Sequence, residues 1–445
     1  VVKLWTHQRD ALLDLVLGHW LLLWEPGTGK TAALLAASGE VGGHTLWLCP
    51  PVLIPQLLAE IRQWRRGASV QVVRNGREII RRDRDIVVCS YDLMRRMPVW
   101  RQLYSRRWDI CVADEGHAFG HSGSVRTRAF YGARDNSQGA LYRKCDRVWI
   151  STGTPVLNNP DELHGHLSRL FPRLIPDLLR RADFLSRFCI LQHRSYGEIV
   201  VGGRNLGELR EILSCCASRL RLADVTDLPP LLEDTISVEI SKADREAIEA
   251  SIDPATASEL HVVLTQLEGG IEAAWQRLQG MLLPLMTTRR LLALAKAEAA
   301  ADLVLAELDG GADRVVLFGH HVEALKHIAA RCVKHSPLLL IGETPHQARD
   351  GIIRRFTEGL PRLLIAGIRL AGTGLNLQAG RRCIFIETDW TPAGHEQAVA
   401  RLYRAGQARP VHSSILAVPD SVDTRVAEVL RRKRRVINEV LGAVA

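Results

Sequence analysis

The sequence has no apolar run long enough to cross a bilayer. Its longest, around Leu21-Leu22-Leu23-Trp24, falls far short of the ~20 residues a spanning helix needs. It lacks the basic, apolar and small-residue regions of a secretory leader, so none is expected. No Cys-x-x-Cys pair occurs among its nine cysteines, and Cys189 with His193 lacks the second half that a structural zinc site requires. An odd number of scattered thiols fits a reducing cytosol better than a disulfide framework. Internal repeats and low-complexity tracts are also missing. These absences leave a cytosolic, multi-domain globular chain.

What is present is 445 residues, 47% hydrophobic and 24% charged. At roughly 150 residues per domain this suggests two or three domains. Lys plus Arg number 58 against 49 acids, a formal net charge of +9. The charge is unevenly spread. Residues 61–110 hold 13 arginines and five acids, whereas 241–310 hold six basic and 11 acidic residues. A second basic run, Arg431-Arg432-Lys433-Arg434-Arg435, lies near the C-terminus. Such asymmetry suits a polyanion held on one face and equally a solvated charged surface.

Short apolar runs bounded by turns recur at 20–24, 45–49, 86–90, 110–113 and 147–151, and again at 314–318, 338–341, 362–366, 382–386 and 413–418. Helix-period segments such as Ile54 to Trp64 separate several of them. Buried strands alternating with helices predict a parallel sheet covered on both faces, so an α/β unit is expected at each end of the chain. Between them, 160–222 and 241–310 read as mostly helical. Asp227-Leu228-Pro229-Pro230 marks a linker. A last amphipathic helix is expected from about Val422 to Leu441.

Two motifs carry chemistry. Glu25-Pro26-Gly27-Thr28-Gly29-Lys30-Thr31 lies between an apolar run and a helix-period run. A strand, a glycine-containing loop and a helix N-terminus together turn backbone N–H groups toward phosphates. In that setting Lys30 would meet the β- and γ-phosphates, and the Thr31 hydroxyl would ligate Mg²⁺. Trp24 stands where the generic fingerprint has glycine. About 80 residues on, the apolar strand Asp109 to Ala113 runs into Asp114-Glu115-Gly116-His117. Paired carboxylates at a strand's end can hold Mg²⁺ through Asp114 and orient water through Glu115. The two motifs together indicate a nucleoside triphosphatase.

In order along the chain, the sequence then resembles a superfamily-two helicase of the Swi/Snf family, in minimal form and nearest to its DNA-annealing branch. Gln8 resembles the family's adenine-contacting glutamine. Leu48-Cys49-Pro50-Pro51 and Ser90-Tyr91 resemble motifs on the nucleic-acid side of the first lobe, and Ser151-Thr152-Gly153-Thr154-Pro155 with Asn158 resembles the motif that couples ATP state to DNA grip. Leu317-Phe318-Gly319-His320-His321 and Ala371-Gly372-Thr373-Gly374-Leu375-Asn376-Leu377 are similar to the fourth and fifth motifs. Asp389-Trp390-Thr391-Pro392 followed by Gln397 to Gln407 is close to the sixth. Within it Arg401 and Arg404, three apart, would share one helix face and act as arginine fingers. Val201 to Leu206 and Arg219 to Pro230 resemble a helical protrusion and inter-lobe brace. The string Thr288-Arg289-Arg290-Leu291 with Lys296 resembles the return into the second lobe.

The resemblance implies an α/β fold of two RecA-like parallel-sheet lobes with helical protrusions. A nucleotide-binding lobe would span 1–228, with a protrusion at about 160–222. A linker and second protrusion would span 229–295, and the C-terminal lobe 296–445. ATP and Mg²⁺ are the implied cofactors, with Gln8, Pro26, Gly27, Thr28, Gly29, Lys30, Thr31, Asp114, Gly374 and Gln397 on the nucleotide. Thr31 and Asp114 would hold the metal, and Lys30, Glu115, Arg401 and Arg404 would act in catalysis. Pro50, Ser90, Thr152, Gly153, Thr154 and Thr373 would face nucleic acid. The implied activity is ATP-driven movement along duplex DNA; strand separation, strand annealing, RNA as the track and a non-catalytic scaffold are the alternatives. Some positions depart from the family. Gly116 replaces the usual alanine, a change expected to be harmless. Ala118-Phe119-Gly120-His121-Ser122 lacks the usual basic residue and lysine-asparagine pair, and Thr391 replaces asparagine. These departures set the chain apart from chromatin remodelers, and its length leads us to expect a prokaryotic or viral origin.

Overall fold

The computed structural model describes residues 3–120, 124–132, 139–153, 160–194, 197–251, 284–359, 361–371, 375–387, 389, 392–424 and 426–428. They divide into two compact units between Val225 and Thr226. No described helix is long and apolar enough to cross a membrane.

In the first unit the apolar runs become strands β1 (Trp20–Trp24), β2 (Thr45–Cys49), β4 (Ile86–Ser90), β5 (Trp108–Asp114) and β6 (Cys145–Ser151). Between β2 and β4 comes the three-residue β3 (Val70–Val72), which the sequence pattern did not reveal. With β9 (Ala217–Leu220) these strands form one parallel sheet, ordered β3-β4-β2-β5-β6-β1-β9. Every residue of β2 and β4 is buried. Apolar side chains on both faces fit a sheet covered on both sides, which is why these strands read as continuous apolar runs. Helices α1 (Thr6–Leu17), α2 (Lys30–Val41) and α3 (Ile54–Trp64) cover one face through a core that includes Leu15, Leu34, Leu35, Leu57 and Ile61. Trp149 of β6, fully buried, donates its indole N–H to Leu15 O (2.9 Å) and Gly18 O (3.1 Å), which fixes the end of α1 against the sheet.

The helical reading of 160–222 needs correction. Strands β7 (Cys189–Arg194) and β8 (Gly197–Gly203) form an antiparallel hairpin, signalled by the β-branched run Ile199-Val200-Val201. Strand β9 then joins the main sheet beside β1. Its residues show no apolar alternation, because tertiary contacts recruit them. The indoles of Trp20 and Trp24 both donate to Ser218 Oγ (3.3 and 3.0 Å), and the Arg219 guanidinium donates to Leu23 O (3.0 Å) and Glu25 Oε1 (3.2 Å). Helices do occur here, at His164–Leu170, Arg181–Phe188 and Leu206–Ser214.

The second unit repeats the architecture. Strands β10 (Leu231–Ser237), β11 (Val315–Gly319), β12 (Leu338–Leu340), β13 (Leu363–Gly367), β14 (Arg382–Phe385) and β15 (Val411–Ala417) form a parallel sheet ordered β10-β15-β14-β11-β13-β12. β10 lies directly after the Pro229-Pro230 break as an edge strand, mostly exposed, so no amphipathic signal marks it. Helices Ala297–Asp309 and Val322–Arg331 pack on one face through Ala300, Ala301, Val304, Leu325 and Ile328. Each unit is thus a RecA-like parallel α/β lobe. Of the expected last helix only its first residues, through Glu428, lie within the described chain, and the basic run 431–435 lies outside it.

Lys296, fully buried, ties the start of the helix Ala297–Asp309 to β15 and the segment after it. Its ammonium donates to Asp423 Oδ2 (2.6 Å) and Leu416 O (3.0 Å). Removing one partner of a buried pair strands the other charge, at a cost of about 3–5 kcal/mol. Lys296→Met should therefore lower the urea midpoint of the second unit markedly, and adding Asp423→Leu should restore much of the loss. Equal midpoints for wild type and Lys296→Met would show that the pair contributes nothing.

Candidate nucleotide site

Parallel strands end on one edge of their sheet, and there the first unit gathers its sequence motifs. After β1 the chain turns through Glu25 to Gly29 and enters α2 at Lys30. Gly27 and Gly29 have φ of 88° and 79°, backbone that glycine adopts without strain. A Cβ at Gly29 would overlap Gln8 Nε2. Buried Gln8 fills that space, donating to Gly29 O (3.1 Å) and accepting from Trp5 N (2.8 Å), while the His7 ring meets Thr28 O at 2.9 Å. The first turn of α1 is thus fastened to the loop. Thr28 Oγ1 donates to Glu25 O (2.8 Å), and Lys30 Nζ donates to Trp24 O (2.8 Å) and Glu25 O (3.2 Å). The Glu25 carboxylate, unmarked by any sequence signal, accepts from Arg219 and from Leu222 N (3.0 Å) and ties the loop to the far end of the unit.

Asp114 closes β5 with its side chain buried, and Tyr91 Oη donates to its carbonyl (2.6 Å). Burial, aided by the Glu115 charge, pushes the Asp114 carboxyl up to about 7, although Lys30 and the Ser151 hydroxyl pull the other way. Glu115 itself has φ 55° and ψ 47°, a left-handed conformation uncommon outside glycine. Its Oε2 lies 3.3 Å from His117 Nδ1 and accepts from Thr152 Oγ1 (3.4 Å), while His117 Nδ1 and Thr152 Oγ1 are 3.1 Å apart. Next to Thr152, a Cβ at Gly153 would fall 2.8 Å from Pro26 Cδ. Loop, carboxylates and the end of β6 therefore form one contiguous set. Pro50 and Ser90 follow β2 and end β4 on the same edge; Ser90 Oγ caps a short helix by accepting from Leu93 N (3.3 Å).

In the second unit, the His320 and His321 backbone N–H groups and His321 Nδ1 converge on the buried Glu387 carboxylate, at 2.9, 3.0 and 2.6 Å. Burial alone would raise Glu387, but the His321 hydrogen bond and the charges of Arg289 and the two histidines hold it at about 2. Glu387 was not anticipated, since its role depends on two strands meeting. The helix carrying Gln397, Pro392–Val399, stops before Arg401 and Arg404, which occupy the turns that follow. The shared helix face is therefore corrected: the backbone tightens there, with Arg401 N on Ala398 O (3.2 Å) and Leu402 N on Val399 O (2.9 Å). Gly406, φ 91°, and buried Gln407 act structurally. Gln407 Nε2 donates to Gln378 O (3.0 Å) and Leu402 O (3.2 Å), and Leu377 N donates to Arg401 O (3.1 Å). Thr154, Asn158, Thr373, Gly374, Trp390 and Thr391 lie outside the described residues.

Residues 18–290 match the SNF2-related domain and residues 295–406 the helicase conserved C-terminal domain. The chain belongs to the SNF2-related family. Among relatives in this family, the human DNA annealing helicase and endonuclease ZRANB3 is 24% identical over 458 residues, covering 99% of this chain and 40% of that protein. The Xenopus tropicalis SWI/SNF-related matrix-associated actin-dependent regulator of chromatin subfamily A-like protein 1 is 25% identical over 444 residues, covering 97% of this chain and 44% of that protein. The chain thus spans less than half the length of these relatives. Among solved structures, the Sulfolobus solfataricus SWI2/SNF2 ATPase core in complex with dsDNA aligns with a TM-score of 0.46 at 20% identity, covering 99% of this chain and 93% of that one.

The Gln8–Gly29 contact can be tested. Gly29→Ala should weaken binding of a fluorescent ATP analogue by about tenfold or more, since a left-handed alanine costs about 1–2 kcal/mol before any clash. Gly29→Ala with Gln8→Ala should recover part of that loss by clearing the overlap. Unchanged affinity in the single variant would remove the loop from the nucleotide site.

Proposed function

We propose that the chain is an ATP-hydrolysing motor that moves along duplex DNA by its phosphate backbone, without strong sequence preference. The observation that carries the reading is the contiguous set of Lys30, Asp114, Glu115, His117 and Thr152 against the Pro26 loop. The family match, the likeness to the DNA annealing helicase ZRANB3 and the basic balance of the chain support it. In this reading residues 1–228 form the ATP-binding lobe, 229–295 a linker and second helical protrusion whose first strand, β10, joins the sheet of the other lobe, and 296–445 the lobe bearing the arginines. The nine free thiols suit a reducing, cytosolic setting.

Gln8 would meet the base, and the backbone of Pro26 to Gly29 would cradle phosphates. Lys30 would exchange the Trp24 and Glu25 carbonyls for phosphate oxygens. Thr31 and Asp114 would hold Mg²⁺; a buried carboxylate and a hydroxyl are hard oxygen donors of the kind a divalent cation takes. When bound, that ion would neutralise phosphate charge. Glu115 would orient the attacking water, its carboxylate steadied by Thr152 and His117. Because Thr152 belongs to a segment expected to face nucleic acid, the same hydroxyl would report DNA contact to Glu115. Pro50, Ser90, Gly153, Thr154 and Thr373 complete the DNA side, and Gly374 and Gln397 the nucleotide side. Arg401 and Arg404 would act as arginine fingers on the γ-phosphate. The relatives' names favour strand annealing as a second output, and annealing of complementary oligonucleotides belongs in the same assay.

Duplex DNA should stimulate phosphate release from ATP. Lys30→Ala should abolish turnover, while Glu115→Gln should bind nucleotide normally and not hydrolyse it. Near-normal hydrolysis by Glu115→Gln would place water orientation elsewhere, and stimulation by RNA but not DNA would defeat the substrate reading. For the arginines, whose counterparts typically supply 10³ to 10⁵ in rate, Arg401→Ala or Arg404→Ala should collapse DNA-stimulated turnover with ATP affinity within about tenfold. Retained turnover in both variants would remove the two arginines from the reaction.

A further inference from the structure

The 13 arginines between residues 61 and 110 are not equivalent. Arg81, Arg84 and Arg95 pair with Asp83 or Asp92, Arg65 donates to Ser38 Oγ (3.2 Å), and Arg106 lies over the Trp108 ring at 4.0 Å. Among the described residues the guanidinium groups of Arg62, Arg66 and Arg74, all exposed, meet no carboxylate. These three rim one cavity of about 730 Å³ between α3 and β3. Its apolar lining comes from Leu58 and Ile61 of the helix and Val70 and Val72 of the strand. Glu78, the acid on its border, is already engaged by Gln71 Nε2 (3.2 Å) and Arg74 N (2.8 Å).

β3 is also the terminal strand of its sheet, with no strand on its outer side among the described residues. An open edge presents backbone N–H and C=O groups to any extended chain that reaches it. A groove between a helix and such an edge suits strand addition, in which main-chain bonds give affinity and alternate side chains give specificity. Unpaired arginines above an apolar floor select the side chains. Carboxylates can take charge-assisted, two-pronged bonds from guanidinium groups, and aliphatic groups can bury on the half-buried Leu58, Val70 and Val72. The apolar lining and peptide-sized volume disfavour a DNA backbone, whose phosphates need no such floor.

We propose that the groove between α3 and β3 binds an extended segment of a partner protein in which acidic and aliphatic residues alternate, and that the segment adds as a further strand beside β3. The proposal is independent of the ATPase reading. The probe is a fluorescein-labelled heptapeptide of alternating Glu and Val, titrated onto the full chain by fluorescence polarisation. Arg62→Glu/Arg66→Glu should weaken its binding about tenfold, equivalent to about 1.4 kcal/mol, and gain binding of the matching Lys/Val peptide. ATPase activity without DNA serves as the folding control. Hydrogen exchange should show new protection at residues 70–72 when the peptide is bound. Equal binding of a peptide with the same composition in two blocks, or no protection of β3, would overturn strand addition. Displacement of the peptide by duplex DNA, with the same sensitivity to charge reversal, would overturn it in favour of a nucleic-acid surface.

Discussion

A carboxylate placed at the buried end of a sheet strand has to be balanced by its surroundings, and the first unit is organised around one such group. Asp114 ends a strand whose inner residues have no access to water, so its charge is held against the desolvation that burial imposes. The neighbours compensate only in part. Lys30 approaches from the adjacent loop, Ser151 from the next strand, and Glu115 adds a second negative charge. A site left short of positive charge favours a cation, which is the chemistry expected of a metal-nucleotide complex. The left-handed turn at Glu115 follows from the same arrangement, because the chain must leave the sheet at once to aim this second carboxylate toward His117 and Thr152.

The second unit uses its own family motifs partly as fasteners. Glu387 gathers two backbone N–H groups and one imidazole, so the histidine pair after β11 is fixed in place by a residue at the end of β14. Gln407 and Gly406 anchor the turn that bears Arg401 and Arg404 to the loop around Gln378. A position can therefore belong to a functional string and act wholly through packing and hydrogen bonds.

What could be read from the sequence follows from how each element is stabilised. Strands buried on both faces, such as β2, β4, β11 and β13, announce themselves as apolar runs, and two parallel lobes follow from their alternation with helices. β9 and β10 are edge strands whose residues are polar or half-exposed. They are held by particular partners, including Ser218 under two indoles, that no local pattern encodes. The β7–β8 hairpin did leave a β-branched run, which the surrounding helix-period segments outweighed. The Glu25 to Gly29 loop and the Asp114-Glu115 pair were legible as strings because each is contiguous and follows an apolar strand. Glu25, Glu387 and the His117–Thr152 contact were not, since each needs residues far apart in sequence. Spacing of three also misled at Arg401 and Arg404, where the helix closes at Val399 before reaching them.

Gly116 shows what such packing means for substitution at neighbouring positions. A Cβ there would come within 2.6 Å of Ile150 Cγ2, a methyl on a β-branched side chain with little rotational escape. The alanine usual in similar sequences and the isoleucine of this one are thus mutually exclusive as the backbone stands. Alanine at position 116 therefore requires a smaller residue at position 150 or a shift of the backbone between them. Reversion today is barred in one direction only: Ile150 can shrink while Gly116 stays, but Gly116 cannot grow first. A substitution that looks neutral at its own position is therefore coupled to the size of its neighbour across the sheet end.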